Sequence, residues 1–283
     1  MTFQTLITPT ELAQYLDQPQ WVIVDCRFEL NDVEAGRRAY QQSHIAGAVY
    51  AHLDKDLSGP PLTDRGRHPL PAPEALMDLF SRLGIHAGTQ VVAYDDSTGA
   101  IAGRLWWMLR YMGHDAVAVI DGGWAAWLEA NLPVRSGVEE NARTSFQGTP
   151  RRRMLVTIDE LPSGLLVDSR DPVRFRGEQE PLDPRAGHIP GAVNYPYASN
   201  LDATGRFLTP QQLKEQLLAT HANAPPENVV YYCGSGVSAC HNVLAHVHAG
   251  LPEGRLYVGS WSEWCSDPRR PIATSGLSDS AAA

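Results

Sequence analysis

The sequence predicts an α/β protein made of two tandem copies of one domain, each a mostly parallel sheet flanked by helices. Three observations lead there. Short phrases recur at a nearly constant offset along the 283 residues, so the chain is one domain duplicated. Within each copy, apolar runs of strand length alternate with helical patterns, as expected for parallel strands joined by covering helices. The length suits two domains of ordinary size, each able to bury its own core.

Taken in order, Thr8-Pro9-Thr10-Glu11-Leu12-Ala13 begins the first copy, and Thr8 can cap a helix with Pro9 in its first turn. Trp21-Val22-Ile23-Val24-Asp25-Cys26-Arg27 is an apolar run ending in polar residues, as a buried parallel strand would be, and Leu165-Leu166-Val167-Asp168-Ser169-Arg170 repeats it. Ser43-His44-Ile45-Ala46-Gly47-Ala48-Val49 is echoed by Gly187-His188-Ile189-Pro190-Gly191-Ala192-Val193. Residues 73–80 and 210–218 carry helical patterns. Val91-Val92-Ala93-Tyr94-Asp95 is echoed by Val229-Val230-Tyr231-Tyr232-Cys233, and Gly122-Gly123-Trp124 by Gly259-Ser260-Trp261. Trp261 and Trp264, in the segment Trp261-Ser262-Glu263-Trp264, are read as core. Arg104 is read as a helix-surface ion-pair residue, with a position facing the cleft as the other possibility. Gly, Ser, Thr, Pro and Arg dominate between the copies. The expected organisation is therefore a first domain over 1–137, a linker over 138–153, a second domain over 154–273 and a disordered tail over 274–283.

A formal net charge of −9 argues against nucleic acid or an anionic membrane surface as a partner. Arg151-Arg152-Arg153 is the one basic run and is read as solvated linker rather than a binding patch. No apolar stretch is long enough to span a bilayer, and the N-terminus lacks a basic-then-apolar leader pattern, which predicts a cytoplasmic protein. Cysteines 26, 233, 240 and 265 form neither a CxxC pair nor a zinc-ligand spacing, so free thiols in a reducing compartment are expected. Nothing in the sequence implies a metal or an organic cofactor.

One stretch carries chemistry. The run 229–232 delivers Cys233 into Gly234-Ser235-Gly236-Val237-Ser238, after which a helical pattern begins. Strand ends of parallel sheets are where ligands bind, and converging backbone N–H groups with a helix N-terminus favour a thiolate there. Gly234 and Gly236 would permit turns with positive φ. The competing reading of Cys233 is a buried structural cysteine. Cys240, about two helical turns on, is read as core. Ser235 is either a turn-stabilising hydroxyl or a proton relay, and spacing alone leaves both open.

This loop resembles the active-site loop of the rhodanese superfamily, most closely its 3-mercaptopyruvate sulfurtransferase branch. The thiosulfate branch typically has charged residues after the cysteine, where Gly234 and Ser235 stand here. The resemblance covers nearly the whole chain. It implies that Cys233 takes a sulfane sulfur from a small-molecule donor, holds it as a persulfide and passes it to a thiophilic acceptor such as cyanide or a thiol like thioredoxin. It also implies an inactive first domain, since Asp95 occupies the cysteine's place. That domain would supply His68, just before Pro69-Leu70-Pro71, and Asp54, with Asp56 a near neighbour, to a relay through Ser235. Gly234, Gly236, Val237 and Ser238 would form the substrate loop. Arg174 matches a family substrate arginine, and Arg185 is the nearest candidate for a second, in a loop shorter than the family pattern. Both arginines could instead pair with Glu178, Glu180 or Asp183. Val258 stands where the family often has an aspartate.

Three other functions compete. A rhodanese-like phosphatase needs an arginine six positions after its cysteine, and Ala239 stands there. Thiosulfate is the rival donor: a small dianion is best held by positive side chains, which this loop lacks. A non-enzymatic persulfide carrier would share the cysteine but load once and stall.

Overall fold

Residues 2–60, 64–162, 164–221 and 224–274 are described by a computed structural model. The expected tail lies, beyond Thr274, outside the described residues. The chain divides into two compact units. The first comprises Met1–Gly59, Leu70–Arg152 and Asp202–Phe207, and the second Pro60–Pro69, Arg153–Leu201 and Leu208–Ala283. Residues 64–69 thus pack with the second unit although they precede it by many positions.

The first unit contains strands β1 (Leu6–Ile7), β2 (Trp21–Asp25), β3 (His44–Ile45), β4 (Val49–Tyr50), β5 (Gln90–Tyr94), β6 (Val117–Ile120) and β7 (Val134–Arg135). Its helices are α1 (Pro9–Leu12), α2 (Ala35–Gln42), α3 (Pro73–Arg82), α4 (Ala102–Tyr111) and α5 (Gly123–Glu129). The parallel sheet runs β1-β6-β5-β2-β4, while β3 and β7 form a small antiparallel ribbon. The second unit has β8 (Leu155–Val156), β9 (Leu165–Asp168), β10 (Val193–Asn194), β11 (Val229–Tyr232) and β12 (Arg255–Tyr257). Its helices are α6 (Pro172–Phe175), α7 (Pro210–His221), α8 (Ala239–His248) and α9 (Ser260–Ser266). Its sheet, β10-β9-β11-β12-β8, is again all parallel. Read by position in each copy, the two strand orders are the same.

Central strands β5 and β11 are buried along their whole length, which their uninterrupted apolar runs require. Thr8 and Glu11 form the capping box of α1, with Pro9 in its first turn as anticipated. Trp261 is fully buried in the core of the second unit, as Trp127 is in the first, whereas Trp264 packs against that core only partly buried. Arg104 departs from expectation. It is buried on α4, with Nε 3.4 Å from the Leu57 carbonyl, because that helix is covered nearly all round.

The recurring phrases prove to be parts of one buried polar network, built twice. In the first unit Arg27 donates to Asp25 through Nε and Nη2, and Nη2 also donates to the Ser43 carbonyl at 2.6 Å. In the second, Arg170 does the same to Asp168 and to the Gly187 carbonyl at 2.7 Å. The Tyr94 hydroxyl accepts from the Ile45 N–H and the Tyr232 hydroxyl from the Ile189 N–H, both at 3.2 Å. Each guanidinium lies over a tryptophan ring, Arg27 over Trp124 at 4.5 Å and Arg170 over Trp261 at 4.8 Å. A charge this deep must be paired to be tolerated, so the phrases recur together.

One buried group in the second unit sets an acid limit. His246 on α8 is fully buried against His221 and Tyr231, and neither of its ring nitrogens finds a partner among the described residues. Burial, and next the neighbouring His221, push it down from 6.5 to about 3. Between those values the unfolded chain takes up a proton that the folded chain refuses, so stability falls as pH drops. The expected loss from His246 alone is about 2 kcal/mol near pH 5. Denaturant titrations at pH 7 and pH 5 measure it. His246→Leu should flatten the acid limb, and an equally steep limb in that variant would refute the assignment.

Candidate active site

Cys233 follows directly on β11, the strand at the middle of the second sheet, and is 2% exposed. The loop is clamped to the start of α9. The Cys233 N–H donates to Ser260 Oγ at 3.1 Å, the Cys233 carbonyl accepts from the Trp261 N–H at 3.0 Å, and the Gly234 carbonyl from the Ser262 N–H at 2.9 Å. Ser260 Oγ in turn donates to the Tyr257 carbonyl at 2.9 Å. Ser260 has φ +54°, a left-handed conformation that a residue with a side chain adopts only at a cost. The corresponding first-unit residue is Gly123, at φ +57°. Glycine is required there, since a Cβ would meet the Asp95 carbonyl at 2.4 Å. Sequence reasoning missed Ser260, although the contrast of Gly123 with Ser260 inside a recurring phrase was a visible signal.

The first copy shows what such a loop can hold. The Asp95 carboxylate accepts four backbone N–H groups: Ser97 and Gly99 on Oδ1 at 2.9 and 2.8 Å, Ile101 and Ala102 on Oδ2 at 2.8 and 2.7 Å. It is an anion nest filled by its own aspartate.

Of the two loop glycines, Gly236 has the anticipated positive φ, +75°, and a Cβ there would lie 2.2 Å from the Val258 carbonyl. Gly234 does not; the expectation of a left-handed turn fails at that position, where the backbone instead faces two guanidiniums. A Cβ on Gly234 would lie 2.9 Å from Arg67 Nη2 and 3.6 Å from both terminal nitrogens of Arg174. Val237 is buried, and Ser238 is half-buried as the residue preceding α8. Cys240 is fully buried with Sγ 3.4 Å from the Gly236 carbonyl, a core position.

His68 and Ser235 meet: Nδ1 and Oγ are 2.7 Å apart, and both residues are buried. Arg174 reaches the loop while donating to Glu180 from Nη2 at 2.6 Å and to Asp183 at 3.4 Å. Arg67 also pairs with Asp183. Burial raises the Asp183 carboxyl, Arg67 opposes that shift first, and two guanidiniums on one carboxylate favour the anion. Arg185 is not brought to Gly234. Its Nη1 donates to the Asp267 and Arg270 carbonyls at 3.1 and 3.2 Å, tying down the segment after α9. The second arginine at the loop is Arg67, which sequence reasoning passed over. Asp54 lies in the turn after β4, where its N–H donates to His52 Nδ1 at 3.1 Å. Neighbouring Asp56 is engaged by the His52 N–H and by Arg82. A groove of about 560 Å³ in the first unit, floored by Tyr40 and Tyr50, involves none of the loop residues.

Two parallel α/β units of one strand order, one ending its central strand in a cysteine loop and the other in an aspartate, define a recognisable class. The profile of the rhodanese-like domain matches residues 8–130 and 155–267, and the chain belongs to the rhodanese family. A protein of Pseudomonas aeruginosa named "Probable 3-mercaptopyruvate sulfurtransferase" is 46% identical, the match covering 97% of this chain and 99% of that one. The thiosulfate sulfurtransferase of Rattus norvegicus is 32% identical over 93% of this chain and 92% of its own. Among solved structures, the 3-mercaptopyruvate sulfurtransferase from Leishmania major superposes with a TM-score of 0.83 at 32% identity, covering 95% of this chain and 76% of that one. Among the described residues no helix is long and apolar enough to cross a membrane.

Proposed function

We propose that this protein transfers a sulfane sulfur from 3-mercaptopyruvate, through a persulfide on Cys233, to a thiophilic acceptor such as cyanide or a thiol like thioredoxin. The observation that carries this reading is the 2.7 Å contact between His68 and Ser235, two residues from Cys233. In the first half-reaction the Cys233 thiolate attacks the donor sulfur. The carbon–sulfur bond breaks, its electron pair leaves as the pyruvate enolate, and a proton must reach that enolate. Ser235 delivers it and His68 restores it. Asp54 is carried in this proposal on family resemblance alone. In the second half-reaction the acceptor attacks the outer sulfur and frees the thiolate.

The nest around Asp95 supports the same reading for the loop 234–238, whose backbone would hold a sulfur anion as the first copy holds a carboxylate. Arg174 and Arg67 are assigned to the donor's carboxylate, which suits planar guanidinium groups. Arg185 is not part of that assignment. A cytoplasmic setting belongs to this reading, consistent with Cys26, Cys233, Cys240 and Cys265 all being free thiols.

The test is initial-rate kinetics with cyanide as acceptor. Mercaptopyruvate is expected to exceed thiosulfate in kcat/KM by about tenfold or more, because sulfite departs without the proton that the relay supplies. A higher kcat/KM with thiosulfate would sink the donor assignment. A single loading of Cys233 with no turnover would make the protein a persulfide carrier.

A further inference from the structure

Beside the cysteine loop the two arginines assigned to the donor's carboxylate are met by two carboxylates that the sulfur chemistry does not use. The side chains of Asp183 and Glu180 are buried, 2% and 3% exposed, and both face the guanidiniums nearest Gly234. Asp183 bridges the pair, taking Arg67 on Oδ1 and Arg174 on Oδ2. Glu180 takes Arg174 and Arg170, and the backbone N–H groups of Leu182 and Asp183 hold it in place at 3.2 and 3.3 Å. Arg170 is already spent on Asp168. The cluster therefore has as many negative as positive charges. What remains toward Gly234 is N–H geometry, from Arg67 Nη2 and Arg174 Nη1, which make no hydrogen bond among the described residues.

We propose that Asp183 is a specificity-determining residue: by bridging Arg67 and Arg174 it cancels the net positive charge beside the cysteine loop and so selects a monoanionic keto-acid donor over a compact dianion. A keto acid with one carboxylate can use directional N–H donors without excess charge. Thiosulfate has two negative charges and needs that excess. One more unit of positive charge at the loop favours a dianion over a monoanion by about tenfold or more. Asp183 touches no reacting atom in this assignment and acts through the two arginines.

The inference rests on the mercaptopyruvate reading but fails separately from it. Asp183→Asn keeps the shape and removes the charge. Its thiosulfate-to-mercaptopyruvate ratio of kcat/KM should rise about tenfold, through a lower KM for thiosulfate, and the thiosulfate rate should become more sensitive to salt. A merely structural role would lower both donors together, and an unchanged ratio overturns the proposal. Wild type offers an independent check should the variant misfold: pyruvate should inhibit competitively at lower concentration than sulfate, and the reverse order also overturns it. A wild-type preference for thiosulfate, by contrast, sinks the donor reading and leaves the predicted rise in the Asp183→Asn ratio standing as its own test.

Discussion

Cys233→Ser is expected to abolish sulfur transfer from every donor, a fall in kcat of about 10⁴-fold or more. The hydroxyl is nearly the size of the thiol, and the loop's hydrogen bonds run through the Cys233 backbone to Ser260 and Trp261, so the fold should survive. What is lost is the nucleophile, because serine is not ionised at neutral pH and cannot store sulfur as a disulfane. Steady-state kinetics beside mass spectrometry of donor-treated protein measures both consequences. Turnover within tenfold of wild type, or a persulfide on another cysteine, would remove Cys233 from the mechanism.

Ser235→Ala should lower kcat with mercaptopyruvate by about 10²- to 10³-fold and leave thiosulfate within a few-fold. The reason is the leaving group: the enolate needs a proton, whereas sulfite departs as a stable anion. His68→Gln should behave alike, since it removes the partner 2.7 Å from Ser235 Oγ. In the proposed relay the two act as one unit, so the double variant should be no slower than the slower single variant. Losses that multiply would mean the residues act independently. Equal losses with both donors would make the hydroxyl a support of the loop rather than a proton carrier.

Much of this site was legible in the sequence because its parts are local. An apolar run sets β11, the glycine-bearing turn follows it, and Ser235 stands two residues from Cys233 whatever the rest of the chain does. The family phrase around His68 pointed to a histidine that the fold does place on Ser235. The arginines show where such reasoning stops. Arg185 is the nearest candidate for a second substrate arginine by its position in the sequence, yet its guanidinium caps carbonyls after α9. Arg67 had no local signal, and its partner Asp183 is 116 positions away.

The sequence by itself determined the duplication and the parallel α/β class and singled out Cys233 as the candidate sulfur carrier, because periodicity, turn residues and a recurring phrase are properties of neighbours along the chain. Only the tertiary structure decided that Gly234 faces two guanidiniums without a left-handed turn, that Ser260 clamps the Cys233 N–H in a left-handed conformation, and that one aspartate with a buried side chain bridges the two arginines at the loop. Those facts depend on which distant segments a buried charge or an unpaired N–H must find to be satisfied. That requirement is met in three dimensions and leaves no pattern in local spacing.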